Sequence, residues 1–208
     1  MQKKLFIFSV GLFVFFSFVF FSFLTQKNAF LGLDFDTTVR LQDHIPRKFD
    51  TIFSVFSLLG SAEIATAILI LLLVLIRKLR GIFVLFGYGL ILFFELFGKS
   101  FVEHLGPPYM FFRYDIPFNF PSSYVQPGYS YPSGHSARTL FISVIAAFFI
   151  ARSKKLSHTQ KLVIMGIIIL FDLTMLVSRV YLGEHWTSDV IGGGLLGVSL
   201  GIRSLIFF

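Results

Sequence analysis

The chain has 208 residues, 55% of them hydrophobic and only 14% charged, with 30 phenylalanines, a balance that excludes an ordinary soluble domain and places it among membrane proteins. Its formal net charge is +7, but the basic residues are scattered at the ends of apolar segments, which argues against nucleic acid as a partner and fits orientation in a bilayer. With no cysteine, disulfides, thiolate catalysis and cysteine metal sites are excluded.

No internal repeat, charged tail or linker rich in Pro, Ser or Gly divides the chain, so one domain over residues 1–208 is expected. After the basic lead that holds Lys3 and Lys4, Leu5 to Leu24 is a run of roughly 20 apolar or hydroxyl residues, long enough to cross a bilayer as a helix. It is too long for the apolar region of a signal peptide and lacks a small-residue cleavage site, so an uncleaved helix is expected. Gln26 to Asp50 is polar with balanced charges, which suits an interfacial helix.

Ile52 to Ile76 reads as the second crossing and ends at the basic cluster Arg77, Lys78 and Arg80. Ile82 to about His104 is the third; near its far end Glu95 and Lys99 stand at the acid-then-base spacing of four that lets each neutralise the other. The stretch from Leu105 to Tyr131 is rich in Pro, Tyr, Phe and Asn, and a loop of that length reads as a lid at headgroup level. Gly134 to Ile150 is the fourth crossing. Leu162 to Val177 is the fifth and carries Asp172, expected to pair within the bundle. Val190 to about Leu205 is the sixth, with Gly193, Gly197 and Gly201 in the small-residue pattern that lets membrane helices approach closely. The expected fold is therefore all-α, a polytopic bundle of six transmembrane helices. Lys3, Lys4, the cluster at 77–80, the bases from Arg152 to Lys161, and Arg203 all fall on one side, which makes both termini cytoplasmic by the positive-inside rule.

Counting crossings puts three polar stretches on the opposite, extracytoplasmic face: Lys99, the segment Tyr131 to His135, and Arg179 to Asp189. Ionisable groups at membrane depth cost on the order of 3 kcal/mol each when unpaired, so their gathering marks a site. The chemistry fits a phosphate. Ser133 and Gly134 stand where a helix begins, and free N–H groups there beside a serine hydroxyl cradle an anion; Ser133 is equally a good N-cap. Lys99 and Arg179 add cations. His135 and His185 offer a proton donor and a nucleophile, and Asp189, four residues after His185, is placed to fix its tautomer.

These residues resemble the type 2 phosphatidic acid phosphatase superfamily. Its motifs are a Lys with Arg-Pro seven residues on, then Pro-Ser-Gly-His, then Ser-Arg with His six and Asp ten residues after the arginine. The second stands at Pro132 to His135 and the third at Ser178, Arg179, His185 and Asp189; in the first, Lys99 and Pro107 are in register but Gly106 takes the arginine's place. The resemblance implies that His185 attacks phosphorus and forms a phosphohistidine, with Asp189 orienting it. His135 protonates the leaving alkoxide, while Lys99, Ser133, Gly134 and Arg179 hold the phosphoryl oxygens. No cofactor or metal is implied, because phosphoryl transfer rests on positioning and charge stabilisation. Arg138, one turn beyond His135, or Arg113 in the lid are the candidates to replace the missing arginine. The activity expected is hydrolysis of the terminal phosphate of a membrane lipid phosphate or diphosphate. The alternatives are transfer of the phosphoryl or phospho-headgroup to a lipid alcohol, and a non-catalytic transporter or lipid-binding protein using the same basic pocket. A metal hydrolase using His104, His135, His185, Glu184 and Asp189 is disfavoured by the absence of paired-histidine spacing.

Overall fold

A computed structural model describes residues 2–77, 81–120 and 129–208; Lys78, Arg80 and the middle of the expected lid lie outside them. The described chain is all-α: α1 (Gln2–Gln26), α2 (Leu31–His44), α3 (Asp50–Ser57), α4 (Ala62–Ile76), α5 (Ile82–Phe101), α6 (Gly134–Arg152), α7 (His158–Tyr181) and α8 (Thr187–Ser204). Five of these, α1, α5, α6, α7 and α8 with its tail to Phe207, are long and apolar enough to cross a membrane; α3 and α4 together make a sixth candidate. Outward-facing Phe6, Phe13, Phe20, Phe86 and Leu170 are each more than half exposed, a surface that suits lipid tails and not water.

Two elements differ from the expectation. The second crossing is not one straight helix: it breaks at Leu58–Gly60, and α3 and α4 meet at 52°. At the break Ser61 turns to extended backbone and caps α4, its hydroxyl accepting from the Ile64 N–H at 3.3 Å. Gly60 faces the His135 ring so closely that a Cβ would lie 3.0 Å from His135 Cδ2. The fifth crossing starts earlier than its apolar run, because Ser157 and Gln160 form a capping box: Ser157 Oγ accepts from the Gln160 N–H at 3.2 Å, and the Ser157 N–H donates to Gln160 Oε1 at 2.8 Å.

Of the long helices α8 is the most buried and α1 the least; α8 packs chiefly against α6 and α1. The glycines make this possible. A Cβ on Gly193 would collide with the Ser133 carbonyl and one on Gly197 with that of Ala137, so α8 lies backbone to backbone on α6. Asp172 of α7 accepts from Ser143 Oγ of α6 at 2.6 Å, which satisfies a polar group at membrane depth. At one end of the bundle the chain's two ends meet, where Lys4 Nζ donates to the Ile206 carbonyl at 2.6 Å. At the other end lies α2, whose 14 residues span about 21 Å, too short to cross a hydrocarbon core.

Candidate active site

The α7–α8 turn builds one wall. Gly183 has φ +68° and closes α7 with its N–H on the Val180 carbonyl at 3.0 Å; this left-handed position favours glycine, and a Cβ there would also strike the Phe111 carbonyl. The chain then folds back, so that the N–H groups of Glu184 and His185 both donate to the Arg179 carbonyl at 3.3 Å. Asp189, at the third position of α8, reaches back to accept from the Trp186 N–H at 3.0 Å, one half of a capping box. That placement sets its Oδ2 3.4 Å from His185 Nδ1. With Nδ1 turned to the carboxylate, His185 Nε2 is the ring's remaining nitrogen.

The start of α6 builds the facing wall. Ser133 caps it, and the Ser133 N–H donates to the Asp189 carbonyl at 2.9 Å. This bond and the glycine contact below it fix the two helix N-termini against each other. Arg179 and Lys99 both lie within electrostatic reach of both histidine rings, and the rings lie within reach of each other. The structure thus gathers Lys99, Ser133, Gly134, His135, Arg179, His185 and Asp189 at one end of the bundle.

The cations are not equally engaged. Arg179 is 3% exposed; Nη1 donates to Ser57 Oγ at 3.0 Å, Nη2 pairs with Glu184, and Nε has no hydrogen-bond partner among the described residues. Lys99 Nζ pairs with Glu95 Oε1 at 3.0 Å and keeps 32% of its side chain accessible. The two candidates for the missing arginine are both occupied. Arg138 holds Glu95 Oε2 at 2.6 Å and donates from Nε to the Gly60 carbonyl at 3.1 Å. Arg113 donates to the carbonyls of Ile45 and Gln42 at 3.3 and 3.1 Å and stacks over Tyr181 at 5.2 Å, tying the lid base to α2. The Glu95 carboxylate itself lies over Gly134, where a Cβ would overlap it, so an anion already rests at the positive end of α6.

Burial pulls the His185 pKa below the usual histidine value, the charges of Arg179 and Lys99 push the same way, and Asp189 opposes them without prevailing. His104 goes the other way: burial lowers it, but the hydrogen bond and charge of Asp189 and the charge of Asp34 together outweigh burial and raise it. Among the described residues no group of three or more His, Asp or Glu side chains is arranged to hold a metal ion.

Four contributors escape a motif reading. Ser57 and Gly60 enter from the α3–α4 break, Asp34 from α2, and His104 from the loop after α5. Of these only His104 carried a local signal, five residues beyond Lys99 within the stretch of the incomplete first motif.

Residues 80–208 match the family model described as the PAP2 superfamily. An undecaprenyl-diphosphatase of Sulfolobus acidocaldarius is 42% identical over 94 residues, 43% of this chain and 41% of the relative. Phosphatidylglycerophosphatase B of Bacillus subtilis is 33% identical over 72 residues, 35% of this chain and 36% of the relative. Each match therefore spans well under half of the relative's length. The crystal structure of a transmembrane PAP2-type phosphatidylglycerolphosphate phosphatase from Bacillus subtilis superposes with a TM-score of 0.74 at 20% identity, covering 94% of this chain and 93% of that one, a likeness of fold.

Proposed function

The chain belongs to the PAP2 superfamily, and from that premise we propose that it hydrolyses the terminal phosphate of a membrane lipid phosphate or diphosphate through a phosphohistidine on His185. The observation that carries this reading is the shared end of α6 and α8, where the Asp189 carboxylate holds His185 Nδ1 and two cations reach both histidines.

The lone pair on His185 Nε2 attacks phosphorus while the bond from phosphorus to the lipid oxygen breaks, and His135 gives its proton to that oxygen. Water then attacks the phosphohistidine, His135 takes a proton from it, and the P–N bond breaks to release inorganic phosphate. Lys99, the buried unpartnered Nε–H of Arg179, the Ser133 hydroxyl and the free N–H groups around Gly134 hold the equatorial oxygens, where charge accumulates in the transition state. Arg138 supports the cradle by restraining Glu95, which yields its place over Gly134 when phosphate arrives.

We place the site on the extracytoplasmic face. Lys4, Arg152, Lys161 and Arg203 lie at the opposite end of the bundle, and the positive-inside rule supports reading that end, with both termini, as cytoplasmic. Tyr109 and Met110, 88% and 78% exposed, stand on the lid at headgroup level, where a substrate with a greasy tail enters.

One feature favours the transport reading: the 52° break at Leu58–Gly60, since transporters use interrupted helices at their substrate sites. Here the freed groups serve the site itself, the Gly60 carbonyl accepting from Arg138 and Ser57 Oγ from Arg179. Irregular backbone at membrane depth is tolerated where it lines a polar cavity. Purified protein in mixed micelles is therefore expected to release inorganic phosphate from at least one of an isoprenoid diphosphate, phosphatidic acid and phosphatidylglycerol phosphate. No release from any of the three overturns the proposal, and retention of the phosphate on an added lipid alcohol shifts it to transfer.

The lowered pKa of His185 sets a pH dependence. A histidine attacks only when neutral, and one depressed below about 6.5 stays neutral as pH falls through that value. The acid limb of kcat/KM is expected below pH 6.5; an acid limb centred above 6.5 contradicts the assignment.

A further inference from the structure

Behind the candidate nucleophile and its motif partner Asp189 lie a buried histidine and a buried acid, His104 and Asp34, that belong to no motif position. His104 is 3% exposed, and both of its ring nitrogens face carboxylates: Nδ1 is 2.9 Å from Asp189 Oδ1, and Nε2 is 3.7 Å from Asp34 Oδ2. Asp34, 1% exposed, is itself fixed to the first turn of α8, accepting from the Ser188 N–H at 2.7 Å and from Ser188 Oγ at 2.8 Å. Asp34, His104, Asp189 and His185 thus run in sequence from α2 to the site. Only His185 has a ring nitrogen left for substrate.

The ring is not needed to hold the loop together. The His104 backbone does that, its carbonyl accepting from the Ser130 N–H at 2.9 Å and from Ser130 Oγ at 3.2 Å. Its imidazole instead solves two problems at Asp189, a residue with no solvent exposure. The first is orientation: a carboxylate held only through Oδ2 can pivot, and the donor on Oδ1 stops it. The second is charge. Asp34 and Asp189 stand on either side of one ring, and buried carboxylates that close, with nothing positive between them, tend to keep a proton on one of them. A protonated Asp189 would offer His185 no charge to stabilise the cation formed on phosphorylation. The upward pull on His104 by both carboxylates agrees with a charged ring between them.

Resting on the reading of His185 as nucleophile, we propose that His104, backed by Asp34, is a positioning residue for the reaction. It donates to Asp189 Oδ1 and holds that carboxylate in the orientation that fixes His185 with Nδ1–H inward and Nε2 toward phosphorus. It touches no substrate.

The test uses the full chain in detergent, with His104→Ala, His104→Gln and Asp34→Asn variants, and reads kcat, KM, the amount of acid-labile phosphate trapped by quenching, and thermal melting. In His104→Ala the expected loss is about ten- to a hundredfold in kcat per trappable site, by analogy with the loss when the outer hydrogen-bond partner of a metal-bound ligand is removed, with KM changed less than about twofold because binding is untouched. His104→Gln keeps a donor without the charge and is expected to recover part of the loss; Asp34→Asn is expected to lose less than His104→Ala. Wild-type kcat per trappable site in His104→Ala, or in His104→Gln should the alanine variant fail to fold, overturns the proposal. So does a loss confined to KM, or one that follows only the amount of folded protein. Failure of the underlying reading looks different: wild-type enzyme then yields no acid-labile phosphate, whatever His104 does.

Discussion

Replacing His185 with Gln is expected to abolish phosphate release, lowering kcat by roughly 10⁴-fold or more, the scale on which removal of a covalent nucleophile or its partner acts. The glutamine amide can still donate to Asp189 and is no larger than the imidazole it replaces, so melting in detergent should hold and substrate should still bind. On the proposed mechanism, what is lost is the lone pair that makes the P–N bond, and with it the acid-labile phosphate. A parallel His135→Gln variant separates the two imidazoles. General acid catalysis typically supplies 10²–10⁴-fold, and the need for it depends on the leaving group. A lipid alkoxide is strongly basic and requires the proton, whereas the phosphate leaving from a diphosphate is a weak base. His135→Gln should therefore be more damaging with a lipid monophosphate than with a lipid diphosphate, while His185→Gln should be equally inactive on both. Turnover near the wild-type level in His185→Gln would remove that residue from the chemistry.

The parts of this arrangement visible in the chain itself are those with local causes. Long apolar runs, the serine cap before Gly134, and the four-residue step from His185 to Asp189 each follow from neighbours in sequence, and the structure assembles them at one end of a helical bundle. The parts that were not visible depend on partners far along the chain. Asp34 sits among balanced charges with nothing to distinguish it, and its hydrogen-bond partner Ser188 is 154 residues away. His104 meets Asp189 across 85 residues. The bend in the second crossing has no proline to announce it; Gly60 leaves room for the His135 ring and its carbonyl serves Arg138, both contributed by α6. Arg138 shows the same limit from the other side. Its position one turn after His135 gives its face on α6, but only the fold reveals Glu95 of α5 on that face.

The glycine contact between α6 and α8 makes a second strong prediction, because it couples stability to catalysis. Gly193 lies beneath Ser133: an added methyl would overlap the Ser133 carbonyl oxygen and crowd Ser136 Cβ at 3.2 Å. The obstructing carbonyl is backbone, so no flexible side chain can swing aside. Gly193→Ala must push the start of α6 off α8 by about an ångström, stretching the bond from the Ser133 N–H to the Asp189 carbonyl, now 2.9 Å. Overpacking of this kind costs about 1–3 kcal/mol, and a misplacement of about 1 Å between reacting groups costs on the order of a hundredfold in rate. The expected result is a lower melting temperature together with a kcat/KM reduced about a hundredfold in the fraction that remains folded. Gly89→Ala and Gly166→Ala, where a Cβ meets nothing within 4 Å, should leave both quantities unchanged and serve as controls. If Gly193→Ala melts and turns over like the wild type, the two N-termini are not held in the register on which the phosphate cradle depends.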